Sequence, residues 1–369
     1  MNRKFVPAIL VTSLATLALV VTACNKPSEP AEDGSASGSA SASGAGQKST
    51  AMVDAKGSTF VKPFLDKVFE EHKAKGGLQV NYQGGGSGAG ITAFIDGTVP
   101  FAASDAPMSD EELKKAAEKG MADVKNVPIV LGSLAIAYNI PNMAEGLQLD
   151  GTVLAEIFMG KITKWNDPKI VALNAGKTLP DLAIIPVVRA DGSGSTYVLS
   201  DYLSAVDATW KSTMGISKQI SWPETVQKKP KSDGVTNGVK DTPGAIGYVE
   251  LGFAKEGGLS YAAIKNAAGK FVLPSAESVT AAAAGAKLPA DFRGSIVNAS
   301  GDGAYPISSY VYAILPNDLS KNANGTAIID ALKYVVGEGQ SKAEELNYSK
   351  LPESVAKQVT DVLTAVKVK

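Results

Sequence analysis

The chain has 369 residues, enough for two or three domains at about 150 residues each, and its 44% hydrophobic and 20% charged residues are ordinary for a globular body. Its 36 Lys and Arg nearly balance 37 Asp and Glu, which argues against a general nucleic-acid binder, because that function needs a basic face to neutralise phosphates. One cysteine, Cys24, and one histidine, His72, leave no intrachain disulfide, no multi-cysteine zinc or iron–sulfur centre and no histidine-cluster metal site, and no cofactor is expected.

The first segment reads as an address. Asn2-Arg3-Lys4 is a short positive region, Phe5 to Val20 is mostly apolar, and Val21-Thr22-Ala23 places small residues before Cys24. A Cys at that junction resembles the bacterial lipobox, in which the thiol is lipidated and becomes the new first residue. A membrane anchor is the competing reading, since the apolar run approaches the ~20 residues a bilayer needs. The position of the single Cys favours a signal peptide over 1–23 and a lipid on Cys24. Loss of that leader leaves 34 basic against 37 acidic residues, a net charge of −3. Residues 24–50 then form a tether: Gly34 to Gly46 contains only Gly, Ala and Ser, a composition that cannot bury enough apolar surface to fold. As a coil it spans roughly 28 Å r.m.s..

The body alternates strands and helices. A short apolar start at Val53 leads to Gly57-Ser58-Thr59-Phe60, and Phe64, Leu65, Val68 and Phe69 then recur at helical spacing until Gly76-Gly77. Leu78 to Tyr82 alternates as a strand, Gly84 to Gly88 follows it, and Ile91 to Ile95 is helix-like. Phe101-Ala102-Ala103 is a short strand that delivers Ser104-Asp105. Ser109 caps an acidic first turn, Asp110-Glu111-Glu112. Pro128 to Ile140 and Ile307 to Leu315 are β-rich, with a second α/β region between them. The pattern predicts mainly parallel sheets flanked by helices, in two lobes with one inserted into the other.

Three polar loops share one design. Ser58-Thr59-Phe60, Gly86-Ser87-Gly88 and Arg189 to Thr196 each end a strand and open a helix. A helix N-terminus offers unpaired N–H groups and about half a positive charge, glycines allow close approach, and hydroxyls add donors. That chemistry suits a tetrahedral oxyanion, and Arg189 adds a forked cation. Ordinary turns and caps use the same residues. Asp105 is the informative contradiction. A carboxylate repels sulfate, but it accepts a hydrogen bond from phosphate that still carries a proton. The plainer role for Asp105 is an ion pair or a turn cap.

Other motifs carry less. Gly84-x-Gly86-x-x-Ala89 fits a dinucleotide fingerprint only as any glycine run does. Gly151 to Lys161 lacks the Gly-Lys-Ser/Thr of a phosphate-cradling loop. Ser87 misses the nucleophile-elbow pattern. His72 continues the Phe64/Val68 face and reads as packing or a C-terminal cap. Trp165, Trp210 and Trp222 read as packing residues.

These loops resemble the phosphate-binding protein family of the bacterial phosphate ABC transporter. The matching runs are Gly57-Ser58-Thr59-Phe60, Asn81 to Gly84, Ala103-Ser104-Asp105-Ala106-Pro107, Gly160-Lys161-Ile162 with Lys164-Trp165, Arg189 to Gly194, Pro243 to Glu250, and Leu351-Pro352 with Ser354-Val355. They extend from about residue 57 to 358, and the stretches around 206–240 and 275–300 match poorly. The resemblance implies a two-lobed type II periplasmic-binding-protein fold: 51–133 and 307–369 form the first lobe and 134–306 the second. It implies that Thr59 and Phe60 give N–H groups and the Thr59 hydroxyl, and that Ser87 donates from hydroxyl and N–H. Asp105 accepts the phosphate proton, Arg189 pairs with the oxyanion under the orientation of Asp191, and Ser193, Gly194 and Ser195 complete the cradle. Ser195 stands for a typical Thr, Gly88 for a common Ser, and Val61 for a usual Pro. The implied partners are inorganic phosphate, transmembrane subunits of an ABC importer and, through the lipid, a membrane. The implied setting is the periplasm or cell surface, as a monomer without enzymatic activity. A receptor for sulfate or molybdate and a secreted phosphatase-like hydrolase using Ser87 or Ser195 are the alternatives.

Overall fold

The computed structural model describes residues 52–143 and 146–369, so the leader, Cys24 and the tether of 24–50 lie outside the described residues. The chain opens with β1 (Met52–Gly57), α1 (Lys62–Ala74), β2 (Gln79–Gly84), α2 (Ser87–Ile95), β3 (Ala102–Ser104) and α3 (Asp110–Glu118). Local signals agree here. In α1, Phe64, Leu65, Val68 and Phe69 share one buried face. In α3, the Ser109 hydroxyl accepts the Glu112 N–H and Glu112 Oε2 accepts the Ser109 N–H, a reciprocal cap.

The long strand β4 (Val124–Tyr138) follows, then β5 (Gln148–Leu149), α4 (Gly151–Phe158), α5 (Pro168–Leu173), β6 (Ile185–Arg189), α6 (Gly194–Val206), α7 (Ala208–Thr213), β7 (Gln227–Lys229), α8 (Lys231–Asp241), β8 (Ala245–Glu250) and α9 (Leu251–Glu256). The chain ends with β9 (Ser260–Tyr261), β10 (Ala263–Lys265), β11 (Phe271–Val272), α10 (Ala276–Ala283), β12 (Ser308–Pro316), α11 (Gly325–Val336) and α12 (Glu353–Ala365). The main sheet runs β2-β1-β3-β12-β4-β8-β6-β7, with β9 paired to the end of β4, and β11-β10-β5 make a small separate sheet. The outer strands of each half are parallel, as alternating β and α elements require. The two central strands, β12 and β4, run antiparallel to their neighbours.

Strand β4 joins the halves. Its residues Val124–Ser133 pair with β12, and Leu134–Tyr138 pair with β8. It begins four residues before Pro128, where the alternation suggested a start. Pro128 is tolerated inside a central strand because the register shifts there: Pro128 faces Tyr312 and Val130 faces Val311, so the missing N–H falls at a bulge. All six residues of β8 are buried, because helices cover both faces. Ala135, Ala137, Val187 and Val249 pack with Val235 and Val239 of α8. The alternate residues Ile136, Val188, Ile246 and Tyr248 pack on the opposite face with Phe158, Leu199 and Trp222. Trp165 and Trp210 are fully buried, and Trp210 lies 5.9 Å from Trp222. His72 sits in the last turn of α1 with its ring 4.9 Å from that of Tyr334, which is a packing position. Among the described residues no helix is long and apolar enough to cross a membrane.

Candidate ligand-binding site

The carboxyl ends of β1, β2, β3 and β6 point their loops at one cleft between the halves of the sheet. In the first wall, Asp105 follows β3 directly and is 2% exposed. The Ser58 hydroxyl donates to Asp105 Oδ1 and accepts the Phe60 N–H at 3.0 Å. The Ser58 backbone is itself fixed, its N–H on Ala103 O and its carbonyl on the Tyr82 hydroxyl, both at 2.9 Å. Ser87 opens α2, is buried, and places its hydroxyl 3.4 Å from Asp105 Oδ2. Gly86 before it has φ +89°, a conformation open to glycine that turns the strand into the helix.

In the second wall, Arg189 ends β6 with a side chain only 2% exposed. Its Nε and Nη2 fork onto Asp191 Oδ1 and Oδ2 at 3.0 and 2.5 Å. Asp191 also accepts the Lys231 N–H at 2.9 Å, which anchors the start of α8 to the same loop. The Arg189 N–H donates to the Tyr248 hydroxyl, and that hydroxyl bonds Thr196 Oγ1 at 2.6 Å. Ser193 caps α6: its hydroxyl accepts the Thr196 N–H. The Ser195 hydroxyl is buried at the start of α6, close enough to Asp105 for a hydrogen bond that favours the ionised carboxyl.

The walls meet. The Gly88 N–H donates to Gly192 O at 2.9 Å, and the Thr59 and Ser232 hydroxyls lie 2.8 Å apart, one on each side. Gly194 faces the acid so closely that a Cβ there would stand 2.5 Å from both Asp105 Oδ2 and Ser87 Oγ, so only glycine fits. The fold therefore brings Thr59, Ser87, Asp105, Arg189, Gly194 and Ser195 around one cleft, with Asp191 behind Arg189. Phe60 and Ser193 border it: the Phe60 N–H is engaged by Ser58, while the Ser193 hydroxyl accepts the Thr196 N–H and keeps its own proton to donate.

Burial pushes the Asp105 carboxyl up to about 6, and the Ser58 hydroxyl and the Arg189 charge restrain the rise. Burial opposes the Arg189 charge, yet Asp191 overcomes it and holds the guanidinium ionised. Burial likewise opposes ionisation of Asp191, and Arg189 wins, so that carboxyl lies below its ordinary range. A second acid, Glu250, ends β8 buried, beside the Ser232 hydroxyl. Burial first, and the charge of Asp105 next, push it well above the carboxylate range. Its place at the end of a strand gave no warning of this. Ser58 stood in one of the donor loops without a role of its own, and Ser232 lies in a stretch without any signal.

The arrangement offers hydroxyl and amide donors, one cation already neutralised by Asp191, and one buried acceptor. It suits a small anion that carries a proton. The single imidazole lies against Tyr334, outside the cleft, and no group of acids, His or Cys among the described residues is placed to hold a metal ion.

A family model described as the PBP superfamily domain matches residues 35–334. The chain is 38% identical over 348 residues to the phosphate-binding protein PstS of Xylella fastidiosa (strain Temecula1), covering 93% of each chain. It is 38% identical over 310 residues to PstS of Pasteurella multocida, covering 83% of this chain and 88% of that one. Among solved structures, a phosphate-binding protein from Stenotrophomonas maltophilia superposes with a TM-score of 0.67 at 21% identity, over 85% of this chain and 94% of that one, and so shares the two-lobed fold. With identity of this level over nearly the full length of its relatives, the chain belongs to the PstS family of phosphate-binding proteins, within the PBP superfamily.

Proposed function

We propose that the protein is an extracytoplasmic receptor that captures inorganic phosphate between two lobes and delivers it to the membrane subunits of an ABC importer, without catalysing a reaction. The lobes are 51–133 with 307–369, and 134–306. Thr59 and Ser87 donate from the first lobe, with Phe60, whose N–H is held by Ser58, at its border, and Arg189, Ser193, Gly194 and Ser195 donate from the second, with Asp191 orienting Arg189. A lipid on Cys24 and the tether of 24–50 keep the monomer at the membrane surface, in the periplasm or on the cell exterior.

One observation carries the ligand's identity: the cleft of an anion site contains the buried carboxyl of Asp105. Near neutral pH that group is an acceptor, and it gains a bond from phosphate only because phosphate is protonated. Sulfate and molybdate bring no proton and meet repulsion. Charge-assisted bonds of ~1.5–3 kcal/mol each suffice for the about 8 kcal/mol of a micromolar site. Titration calorimetry with phosphate and sulfate tests the reading. Phosphate should bind and sulfate should not at pH 8, and a preference for sulfate refutes it. Robust turnover of a chromogenic phosphate ester would favour the hydrolase instead. Donors from both lobes are complete only in the closed state, so phosphate should compact the protein in small-angle scattering.

A further inference from the structure

The rim of the cleft is closed by ion pairs that no ligand group supplies. A cavity of about 620 Å³ at the mouth is lined by Gly88, Ser109 and Glu112 on one side and by Gly192, Tyr197 and Lys218 on the other. Across it, Lys218 Nζ donates to Glu112 Oε2 at 2.7 Å and also reaches Pro107 O at 3.4 Å. The two side chains are only 13% and 21% exposed, so solvent screens the pair less than an open surface bridge. A second cation engages the same turn. Arg293 Nη1 donates to Asp110 Oδ1 at 2.6 Å and reaches Met108 O at 3.4 Å. Two residues on, the Ser295 hydroxyl donates to Asp201 Oδ2 on α6 at 2.6 Å. Residues 293–295 thus strap α3 to α6.

Both cations lie in stretches, around 206–240 and 275–300, where the sequence motifs placed nothing. Both land on the acidic first turn of α3, where Glu112 also completes the helix cap.

We propose that Lys218 is a positioning residue for ligand retention: by gripping the first turn of α3 from the opposite side of the cleft, it holds the closed state and sets how slowly the ligand leaves. Its side chain touches no ligand group, although its backbone carbonyl accepts the Ser193 N–H at 2.8 Å. Arg293 steadies the same turn from its own side, where the neighbouring Gly294 carbonyl accepts the Tyr312 hydroxyl of β12. The inference rests on the closing, phosphate-binding reading above, and deepens it.

The test is a double-mutant cycle of Lys218→Met and Glu112→Gln. Glutamine still accepts the Ser109 N–H, so the cap survives while the ion pair is lost. Stopped-flow measurement should show phosphate leaving about five-fold faster in each single variant, with association changed less than two-fold. The double variant should be no faster than the faster single one. Unchanged dissociation in both single variants, or fully additive effects, overturns the proposal. A second measurement needs no ligand. Spin labels on the exposed positions 114 and 211, in a Cys24→Ser background, should report a longer separation in Lys218→Met than in the parent. An identical distribution overturns the latch. If the parent binds no phosphate, the functional reading fails while the distance measurement still decides the latch.

Discussion

The two walls of the cleft are built on different principles. In the second wall, Arg189 is held by Asp191, two residues away in the same loop, so the cation is oriented locally. In the first wall, Asp105 is held by Ser58, 47 residues away, and its shifted acidity is a product of burial between distant segments. One wall supplies charge attraction, and the other checks whether the ligand holds a proton. Separating the tasks explains how a site can contain as many acids as it needs for selectivity and still bind an anion: the cation is neutralised before the ligand arrives, and the amides and hydroxyls provide the remaining attraction.

The largest break in this contrast comes from Arg189→Met. Loss of two charge-assisted bonds of ~1.5–3 kcal/mol each should weaken phosphate binding by at least about a hundred-fold. Calorimetry that finds less than a ten-fold loss would place the attraction elsewhere. Next is Asp105→Asn, whose amide can donate where the carboxylate only accepts. At pH 8 the phosphate-to-sulfate affinity ratio should fall by roughly ten- to a hundred-fold, mostly through a gain for sulfate. An unchanged ratio would remove Asp105 from selectivity.

Acidity sharpens the same point in the parent protein. With Asp105 at about 6, lowering the pH from 8 to 5 protonates it and converts it to a donor, so sulfate affinity should rise through that interval and stay flat in Asp105→Asn. Stability follows the opposite wall of the linkage. The folded state holds the Asp105 proton up to about 6, whereas the unfolded chain releases it near 3.8. Stability of the ligand-free protein should therefore fall as pH rises from about 4 to 6, by at most about 3 kcal/mol from this group. Denaturant melts across that range measure it, and a rise instead of a fall would contradict the burial of a charged acid.

Smaller effects probe the contact between the walls. Ser232→Ala removes the partner of Thr59 and should cost about 1 kcal/mol, read as a few-fold loss of phosphate affinity. The smallest change is expected of Glu250→Gln. Burial pushes that acid well above the carboxylate range, so a neutral amide of the same shape should leave phosphate affinity within about two-fold. It should also remove the loss of stability with rising pH that a raised acid imposes, and thermal melts of both proteins across a pH series check this.

The parts of the molecule that could be read in advance were those whose causes are local. The α1 face of Phe64, Leu65, Val68 and Phe69, the Ser109 cap of α3, and the glycine- and serine-rich strand-to-helix loops all depend on neighbours within a few residues. The alternating pattern also placed β12 and most of β4. It did not give the start of β4, because Pro128 argues against a central strand unless a bulge opposite it is known. The engaged Phe60 N–H, the cap made by Ser193 and the burial of Glu250 were not visible either, since each depends on which atoms stand opposite.

By itself the sequence determined the alternation of strands and helices, the loops that end in donors, and the types of side chain offered to a ligand. Hydrophobic period and turn chemistry act over one or two turns of chain, and they survive without knowledge of the whole. The tertiary structure decided that β12 enters between β3 and β4, that Ser232 meets Thr59 across 173 residues of chain, and that Asp105 sits dry between two walls. Periodicity says which face of an element will be buried; the partner that buries it, and the acidity that burial imposes, follow only from the packed whole.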